Sequence, residues 1–121
     1  MPLVQFHMSS GISDEARDKI CTATQAAIVR SLPDVPEYDL FQIVTRHQAG
    51  DLKSTPMWPG KVKREQILYI EILMCRGYDS ATKGRMYTAI AEDVSACGVN
   101  RQDIFVAVTE NSPDDWCAGM A

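Results

Sequence analysis

The feature that most constrains the fold of this chain is an internal repeat. Residues 35–45 and 99–109 share the pattern V-x-x-x-D-(L/I)-F-x-x-V-T, and the two copies lie 64 residues apart, from Val35 to Val99. Each copy follows a helical pattern that itself follows a strand pattern, which predicts two β-α-β units of similar length. Right-handed crossovers then place both helices on one face of a four-stranded sheet.

Hydrophobic periodicity predicts six elements in this order. Alternating or continuous apolar residues predict strands, and apolar residues at helical spacing predict helices, at residues 2–8, 13–32, 41–47, 66–74, 79–97 and 104–110. Ser13 and either Asp79 or Ser80 are the expected helix N-caps. Gly98 is expected at the C′ position that ends the second helix. The third strand is almost wholly apolar, which predicts a central strand covered on both faces.

The fold class is therefore α+β, with a tandem β-α-β repeat in a single domain over residues 1–121. The repeat units span about 2–47 and 66–111, and a loop over 48–65 links them. That loop has no periodicity, and connections of this length are typically functional or mobile. Since two helices cover only one face of the sheet, we expect the other face to be covered by oligomerisation.

Composition excludes several classes of function. The net charge is −4 and the pI is about 5.0, with no basic run, so nucleic acid is not an expected partner. No apolar run approaches the roughly 20 residues that cross a bilayer, so no membrane association is expected. Charged residues begin at Asp14 with no apolar leader before them, and we expect a soluble, cytoplasmic protein.

The cysteines and histidines do not form a recognisable metal or redox motif. Four cysteines are spaced 54, 22 and 20 residues apart, and there are only two histidines: Cys21, Cys75, Cys97, Cys117, His7 and His47. Cys21, Cys75 and Cys97 are interpreted as small core or interface residues. A catalytic cysteine is a minor alternative, because no histidine lies nearby in sequence to activate it. No metal and no cofactor are expected.

Pro2 opens the first strand and has two interpretations. Proline is tolerated as the first residue of a strand, where its missing N–H does little harm. If Met1 is removed, however, the nitrogen of Pro2 becomes a basic secondary amine that can accept a proton or attack a carbonyl. The residues of this stretch alone favour the first interpretation.

The rest of the chain resembles the tautomerase superfamily, whose members use an amino-terminal proline. The similarity extends to malonate semialdehyde decarboxylase and its relatives through Val35–Thr45, followed by Arg46 and His47, and through Val106–Trp116, which contains an E-N-S-x-x-D-W run. This resemblance implies a tautomerase-like trimer, similar in fold to the MIF type, with no cofactor.

The resemblance also implies the site residues. It implies that Pro2 is catalytic and that Asp39 and Arg76 join it, with Arg76 also binding the substrate. Tyr78 and Trp116 are the other expected substrate contacts, and a trimer contact is the alternative for Trp116. A family R-x-R pattern after the third strand is here Arg76-Gly77-Tyr78, and an aromatic position is here Ala118. Without the resemblance, Asp39 would be interpreted as a cap or turn residue, the role expected for Asp103 in the second copy.

Three functions follow as hypotheses. The first is keto–enol tautomerisation of a small 2-oxo acid, with neutral Pro2 as general base, Arg76 holding the carboxylate and Asp39 orienting a water or the enol. The second is a decarboxylase or hydratase of the malonate semialdehyde type, with cationic Pro2. The third is a non-catalytic trimeric binding protein, which the Tyr78 and Ala118 departures favour. Two interpretations of Tyr78 stay open. Either its hydroxyl replaces the missing guanidinium, or the side chain simply packs against the second helix.

Overall fold

The computed structural model describes residues 2–119, and these residues form one four-stranded sheet with two helices. The elements are β1 (Leu3–Ser9), α1 (Asp14–Ser31), β2 (Phe41–His47), β3 (Leu68–Cys75), α2 (Ser80–Ser95) and β4 (Ile104–Asn111). Short 3-10 turns lie at Arg101–Asp103 and Pro113–Asp115. The predicted α+β fold and the order of its six elements are confirmed.

The sheet order is β2-β1-β3-β4. β1 runs parallel to β2, and β3 runs parallel to β4, while the two central strands β1 and β3 are antiparallel to each other. Each parallel pair belongs to one repeat unit, and the antiparallel pair joins the two units. The predicted central position of β3 is therefore confirmed.

Alternation along the strands places the core between the sheet and the helices. On β1 the side chains of Val4, Phe6 and Met8 are buried, and on β3 every second residue is buried. Together with these three residues of β1, buried residues of β3, α1 and α2 form one cluster: Leu68, Ile70, Ile72, Met74, Ile20, Ala27, Ile28, Met86, Ala89, Ile90 and Val94. Such burial is the main source of stability in a domain of this size.

The second face of the sheet is only partly covered within one chain. Phe41 and Ile43 on β2 are 44% and 47% exposed, and Glu71 on β3 is exposed as well. Trp58 from the linking loop packs on this side of the sheet, with its ring 5.5 Å from that of Phe105. The expectation that β3 is covered on both faces is therefore not met by one chain, because both helices lie on the same side.

Equivalent residues of the two units are 64 positions apart in β2 and β4, but 66 positions apart in the strands and helix starts that precede them. Phe41 pairs with Leu3, whereas Phe105, 64 residues later, pairs with Tyr69, which is 66 residues after Leu3. The N-caps Ser13 and Asp79 are also 66 residues apart. The difference is absorbed in the helices, since α1 has 18 residues and α2 has 16.

The end of α2 differs slightly from the prediction. The helix ends at Ser95 with Ala96 as its C-cap, so Gly98 lies one position beyond C′. Gly98 has φ +95°, and its N–H donates to the Ser95 carbonyl at 3.0 Å. The glycine therefore still supplies the left-handed backbone that turns the chain toward β4.

Candidate active site

The strand directions bring the predicted site residues to one edge of the sheet. β1 and β2 begin at this edge, and β3 and β4 end at it, because Leu3 pairs with both Phe41 and Leu73 while Cys75 pairs with Asn111. We call this the proline edge: Pro2, residues 39–41, residues 75–78 and residues 111–116. The opposite edge comprises residues 9–12, 47–48, 65–68 and 103–104.

Pro2 is buried where β1 begins. It directly precedes Leu3, the first residue of β1 to pair with both neighbouring strands. A proline at this point removes no ladder hydrogen bond from the interior of the sheet. Its position is thus compatible with both interpretations made from sequence.

Asp39 lies two residues before β2, on a segment that α1 holds in place. Its N–H donates to the Pro36 carbonyl at 3.0 Å, and its own carbonyl accepts a hydrogen bond from Gln25 Nε2 at 3.3 Å. The same Gln25 amide reaches the Glu37 carbonyl at 3.4 Å. The side chain of Asp39 is half-buried, and its backbone is fixed at the edge where Pro2 begins the neighbouring strand.

Arg76 follows β3 directly and is exposed. Its N–H donates to the Asn111 carbonyl at 2.8 Å, and its Nε reaches the same oxygen at 3.5 Å. Within residues 2–119 no carboxylate lies within ion-pair distance of its guanidinium, so Arg76 is a cation available to an anion from outside. Gly77, with φ +138°, then turns the chain toward α2.

Tyr78 is half-buried and packs against the core cluster. Burial is the main cause that raises the pKa of its phenol above the ordinary value of 10.0, and the negative charge of Asp34 adds to it. The hydroxyl is therefore a neutral donor throughout the physiological range. Of the two roles left open for Tyr78, packing is visible in the structure, and contact with a substrate stays a prediction.

Trp116 is half-buried at the same edge, and its indole Nε1 donates to Asn111 Oδ1 at 2.8 Å. Asn111 therefore contacts both Arg76 and Trp116, and the sequence interpretation did not single it out. The signal was present in the E-N-S-x-x-D-W run, which was used only as a mark of resemblance. An asparagine at a strand end, followed by a turn, commonly bonds nearby groups.

At the opposite edge, Asp103 is the last residue of the 3-10 turn before β4, in line with the expected turn role, and it has a further structural role. It is 3% exposed, and its two carboxylate oxygens accept the N–H groups of Glu65 and Gln66 at 2.8 and 2.9 Å. It therefore anchors the linking loop to β4 instead of only starting the strand. His7 and His47 also lie on this side, with His7 Nδ1 and His47 Nε2 2.8 Å apart.

Two further observations concern other kinds of site. Within the part of the chain that the structure describes, no group of three or more His, Cys, Asp or Glu side chains is arranged to hold a metal ion. Neither helix within residues 2–119 is both long and apolar enough to cross a membrane. The cysteines Cys21, Cys75, Cys97 and Cys117 all have free thiols.

Comparison with known proteins decides the family. Residues 39–119, which include Asp39, Arg76 and Trp116, match the family described as tautomerase enzyme. This chain belongs to the tautomerase family. The probable tautomerase YusQ of Bacillus subtilis is 26% identical over 120 residues, which cover 98% of this chain and 94% of that protein.

Solved structures of the tautomerase superfamily share the fold along nearly the whole chain. FG41 malonate semialdehyde decarboxylase inhibited by 3-bromopropiolate is 33% identical, with a TM-score of 0.91 over 98% of this chain and 89% of that one. A fused 4-OT, described as a symmetric trimer, has a TM-score of 0.80 at 20% identity, covering 98% of this chain and 92% of its own. The predicted resemblance to the superfamily is thus confirmed, and the roles of individual site residues remain predictions.

Proposed function

We propose that this tautomerase-family protein catalyses keto–enol tautomerisation of a small 2-oxo acid without a cofactor, and that Pro2 is its general base after removal of Met1. The observation that carries the proposal is that buried Pro2 lies at the same edge as Arg76, whose guanidinium has no carboxylate within ion-pair distance among residues 2–119. Desolvation and a nearby cation both disfavour an ammonium, so the amine of Pro2 is expected to be neutral near pH 7.

The proposed reaction moves one proton and changes no other atom. In the direction of the enol, the Pro2 nitrogen takes a proton from C3 of the 2-oxo acid, and the electron pair of that C–H bond forms the C2–C3 double bond while the carbonyl oxygen becomes an enolate. The protonated Pro2 then delivers the proton to that oxygen. A positioned base of this kind contributes roughly 10²- to 10⁴-fold to the rate.

The other residues have supporting roles in this proposal. Arg76 binds the carboxylate of the substrate, for which a planar guanidinium is suited, and its charge favours the enolate. Asp39 orients a water molecule or the enol hydroxyl. Tyr78 offers a neutral hydroxyl, and Trp116 forms an apolar wall of the site.

We further propose that the protein is a homotrimer. The exposed apolar residues of β2, Phe41 and Ile43, continue into Leu40 and Tyr38, which are 51% and 87% exposed. Clustered apolar exposure of this kind typically marks an interface. A native mass measurement at several protein concentrations tests this; a monomer at micromolar concentration would contradict it.

Exchange of the C3 protons of pyruvate for deuterium, followed by proton NMR, tests the catalytic proposal without requiring the natural substrate. Two variants separate the roles of ring and amine. Pro2→Ala keeps a free amine but loses the secondary amine, and insertion of an alanine between Met1 and Pro2 keeps the ring but converts its nitrogen to an amide. Both should lower exchange by roughly 10²-fold or more.

The intact mass of the purified protein shows whether Met1 is removed and therefore whether the base can exist. Equal exchange by the unsubstituted protein and the insertion variant would contradict a role for the Pro2 amine. Lack of exchange by the unsubstituted protein with any 2-oxo acid tried would favour the non-catalytic binding hypothesis instead.

A decarboxylase or hydratase function with cationic Pro2 is the second candidate, because the 33% identical structure described above is a malonate semialdehyde decarboxylase. Titration of the Pro2 nitrogen by ¹⁵N NMR separates the two. A pKa clearly below the roughly 8 of an ordinary α-amino group supports tautomerisation, and one well above it supports the second candidate. Tyr78→Arg, which restores two guanidiniums, should then raise decarboxylation of malonate semialdehyde; an unchanged rate would exclude the missing arginine as the limiting factor.

A further inference from the structure

The segment from Glu110 to Trp116 is closed by hydrogen bonds among its own residues. Ser112 donates two hydrogen bonds to Asp115 Oδ2, from its N–H at 2.8 Å and from its hydroxyl at 3.2 Å. In the other direction, the Asp115 N–H donates to the Ser112 carbonyl at 3.0 Å. Trp116 then reaches back to Asn111 at 2.8 Å. At the start of the segment, Glu110 accepts from Lys83 Nζ of α2 at 2.8 Å. The turn is thus held at both ends.

Asn111 uses two separate acceptors within this segment. Its main-chain carbonyl accepts the N–H of Arg76 at 2.8 Å and lies 3.5 Å from Arg76 Nε, whereas its side-chain Oδ1 accepts from Trp116 Nε1 at 2.8 Å. Because any residue at position 111 has a carbonyl, a substitution there removes the contact with Trp116 and leaves the main-chain contact with Arg76. The two site residues can therefore be perturbed separately.

The indole bond determines where the Trp116 ring lies. An indole has one polar donor, and when half-buried it usually pairs that donor, which selects one ring orientation. Without the Asn111 acceptor, the ring is free to rotate about its side-chain bonds, while the Ser112–Asp115 turn still holds its backbone. The loss of this single hydrogen bond thus changes the shape of the proline edge more than its charge.

We propose that Asn111 is a positioning residue that sets substrate specificity by fixing the Trp116 ring at a defined position beside Arg76. This inference rests on the proposed function, in which Arg76 binds the substrate carboxylate and Trp116 bounds the space for the rest of the molecule. Asn111 itself does not touch the reacting atoms.

The kinetic test compares a small and a bulky 2-oxo acid. Deuterium exchange at C3 is measured for pyruvate and for phenylpyruvate with the unsubstituted protein, Asn111→Leu and Trp116→Phe. We expect the ratio of kcat/KM for the two acids to change by about 5-fold in Asn111→Leu, the effect of losing one ordinary hydrogen bond. KM for pyruvate should stay within about 2-fold, because Arg76 keeps its main-chain contact.

A double-mutant cycle makes the test specific to this bond. If the effect of Asn111→Leu acts through the indole, it should largely disappear in the Trp116→Phe background, since residues in direct contact show non-additive effects. Asn100→Leu is the control: Asn100 is the other asparagine of the sequence, it caps the 3-10 turn Arg101–Asp103 at the opposite edge, and its substitution should leave the ratio unchanged. Additive effects at Asn111 and Trp116, or an unchanged ratio in Asn111→Leu, would overturn the proposal.

Fluorescence separates this proposal from the proposed function. The chain has two tryptophans, so in a Trp58→Phe background Trp116 is the only one. Asn111→Leu should increase acrylamide quenching of Trp116, and Asn111→Asp, which keeps an acceptor oxygen, should restore it to the unsubstituted level. If no 2-oxo acid exchanges, the proposed function fails while this result still decides whether Asn111 positions Trp116; equal quenching in all three proteins would overturn that positioning.

Discussion

The two repeat units have the same backbone framework but different side-chain chemistry at their ends. At the proline edge the Arg76 N–H donates to the Asn111 carbonyl, and at the opposite edge the Ser10 N–H donates to the His47 carbonyl, both at 2.8 Å. Cys75 pairs with Asn111 as Ser9 pairs with His47. An arginine without an ion-pair partner in residues 2–119 therefore occupies the position that a serine fills in the other unit.

The aspartates of the repeated motif differ in the same way. Asp103 is buried and binds two N–H groups of the linking loop, whereas Asp39 is half-buried and its segment is held through the main chain by Gln25. A carboxylate whose oxygens both bind the backbone contributes to stability, and one placed beside a strand-end amine is suited to chemistry. The same motif aspartate therefore has different surroundings in the two units: it anchors the linking loop through two N–H groups in one, and it is half-buried near the start of β1 in the other.

The largest difference between the units is expected in the helix cores. Thr24 and Ile90 occupy equivalent buried positions, 66 residues apart, and the Thr24 hydroxyl bonds the Ile20 carbonyl at 2.8 Å. Ile90→Ala should lower the free energy of unfolding by about 3 kcal/mol through lost burial and a cavity. Thr24→Val, which keeps the shape, should change it by less than about 1 kcal/mol. Urea unfolding at one fixed protein concentration measures both, and a loss in Thr24→Val as large as that in Ile90→Ala would contradict a minor contribution of the Thr24 hydroxyl.

Substitution of Asp103 should mainly affect stability, and substitution of Asp39 should mainly affect activity. Asp103→Asn should lower the free energy of unfolding by about 2 kcal/mol, because hydrogen bonds from N–H groups to a charged acceptor are lost or weakened. Asp39→Asn should lower the free energy of unfolding by less than half as much. It should nevertheless slow deuterium exchange of pyruvate more than Asp103→Asn does. Urea unfolding and the NMR exchange assay on the two variants provide the comparison; greater destabilisation by Asp39→Asn would reverse the assignment of roles.

The helix caps distinguish the units by their pH dependence. The Ser13 hydroxyl accepts from the Ala16 N–H, and Asp79 Oδ1 accepts from the Thr82 N–H at 2.8 Å, which lowers the pKa of Asp79 below its ordinary 3.8. The contribution of the charged Asp79 cap to the free energy of unfolding is therefore fully present above pH 3.8. It is lost as the pH falls through the lower pKa that Asp79 has in the folded chain. Ser13→Ala should cost about 1 kcal/mol at any pH.

Thermal unfolding of Ser13→Ala and Asp79→Ala between pH 7 and pH 3 tests this difference. Asp79→Ala should lower Tm by a few degrees at pH 7, and the decrease should shrink toward the acid end of the range. The decrease in Ser13→Ala serves as the control and should stay constant. A constant decrease in Asp79→Ala would show that its cap does not depend on the carboxylate charge.

The smallest effect is expected from the ion pairs between helix and edge strand. In the second unit Lys83 pairs directly with Glu110 at 2.8 Å. The equivalent positions in the first unit are two cations, Arg17 and Arg46. Both contact Asp14, Arg17 at 3.5 Å and Arg46 at 2.7 Å. Glu110→Gln should shift Tm by no more than about 2 °C, and by less in 0.5 M salt, because exposed pairs are weak and screened. Asp14→Asn leaves two cations facing each other, so its Tm should rise with added salt relative to the unsubstituted protein.

The site could be predicted from sequence only in part. Pro2, Asp39, Arg76, Tyr78 and Trp116 were identified through resemblance, and the strand directions bring their segments to one edge. Asn111 was not singled out, although its contact with Trp116 lies within the E-N-S-x-x-D-W run. Its contact with Arg76 depends on two strands ending at the same place, and no local pattern contains that information.

The sequence by itself determined the order of the elements, the alternation of apolar residues along β1 and the N-cap Ser13. These depend on local preferences of the chain. The repeat at 64 residues also indicated that two similar units share one sheet.

Only the tertiary structure decided the sheet order β2-β1-β3-β4, the 66-residue offset of the first strands and helices, and the different surroundings of Asp39 and Asp103. Strand partners are chosen by how two units bury their apolar faces against each other, so pairing is a property of the assembled core. The two motif aspartates are alike in sequence, and what separates them is that the linking loop brings two N–H groups to Asp103, while Asp39 lies beside the start of β1.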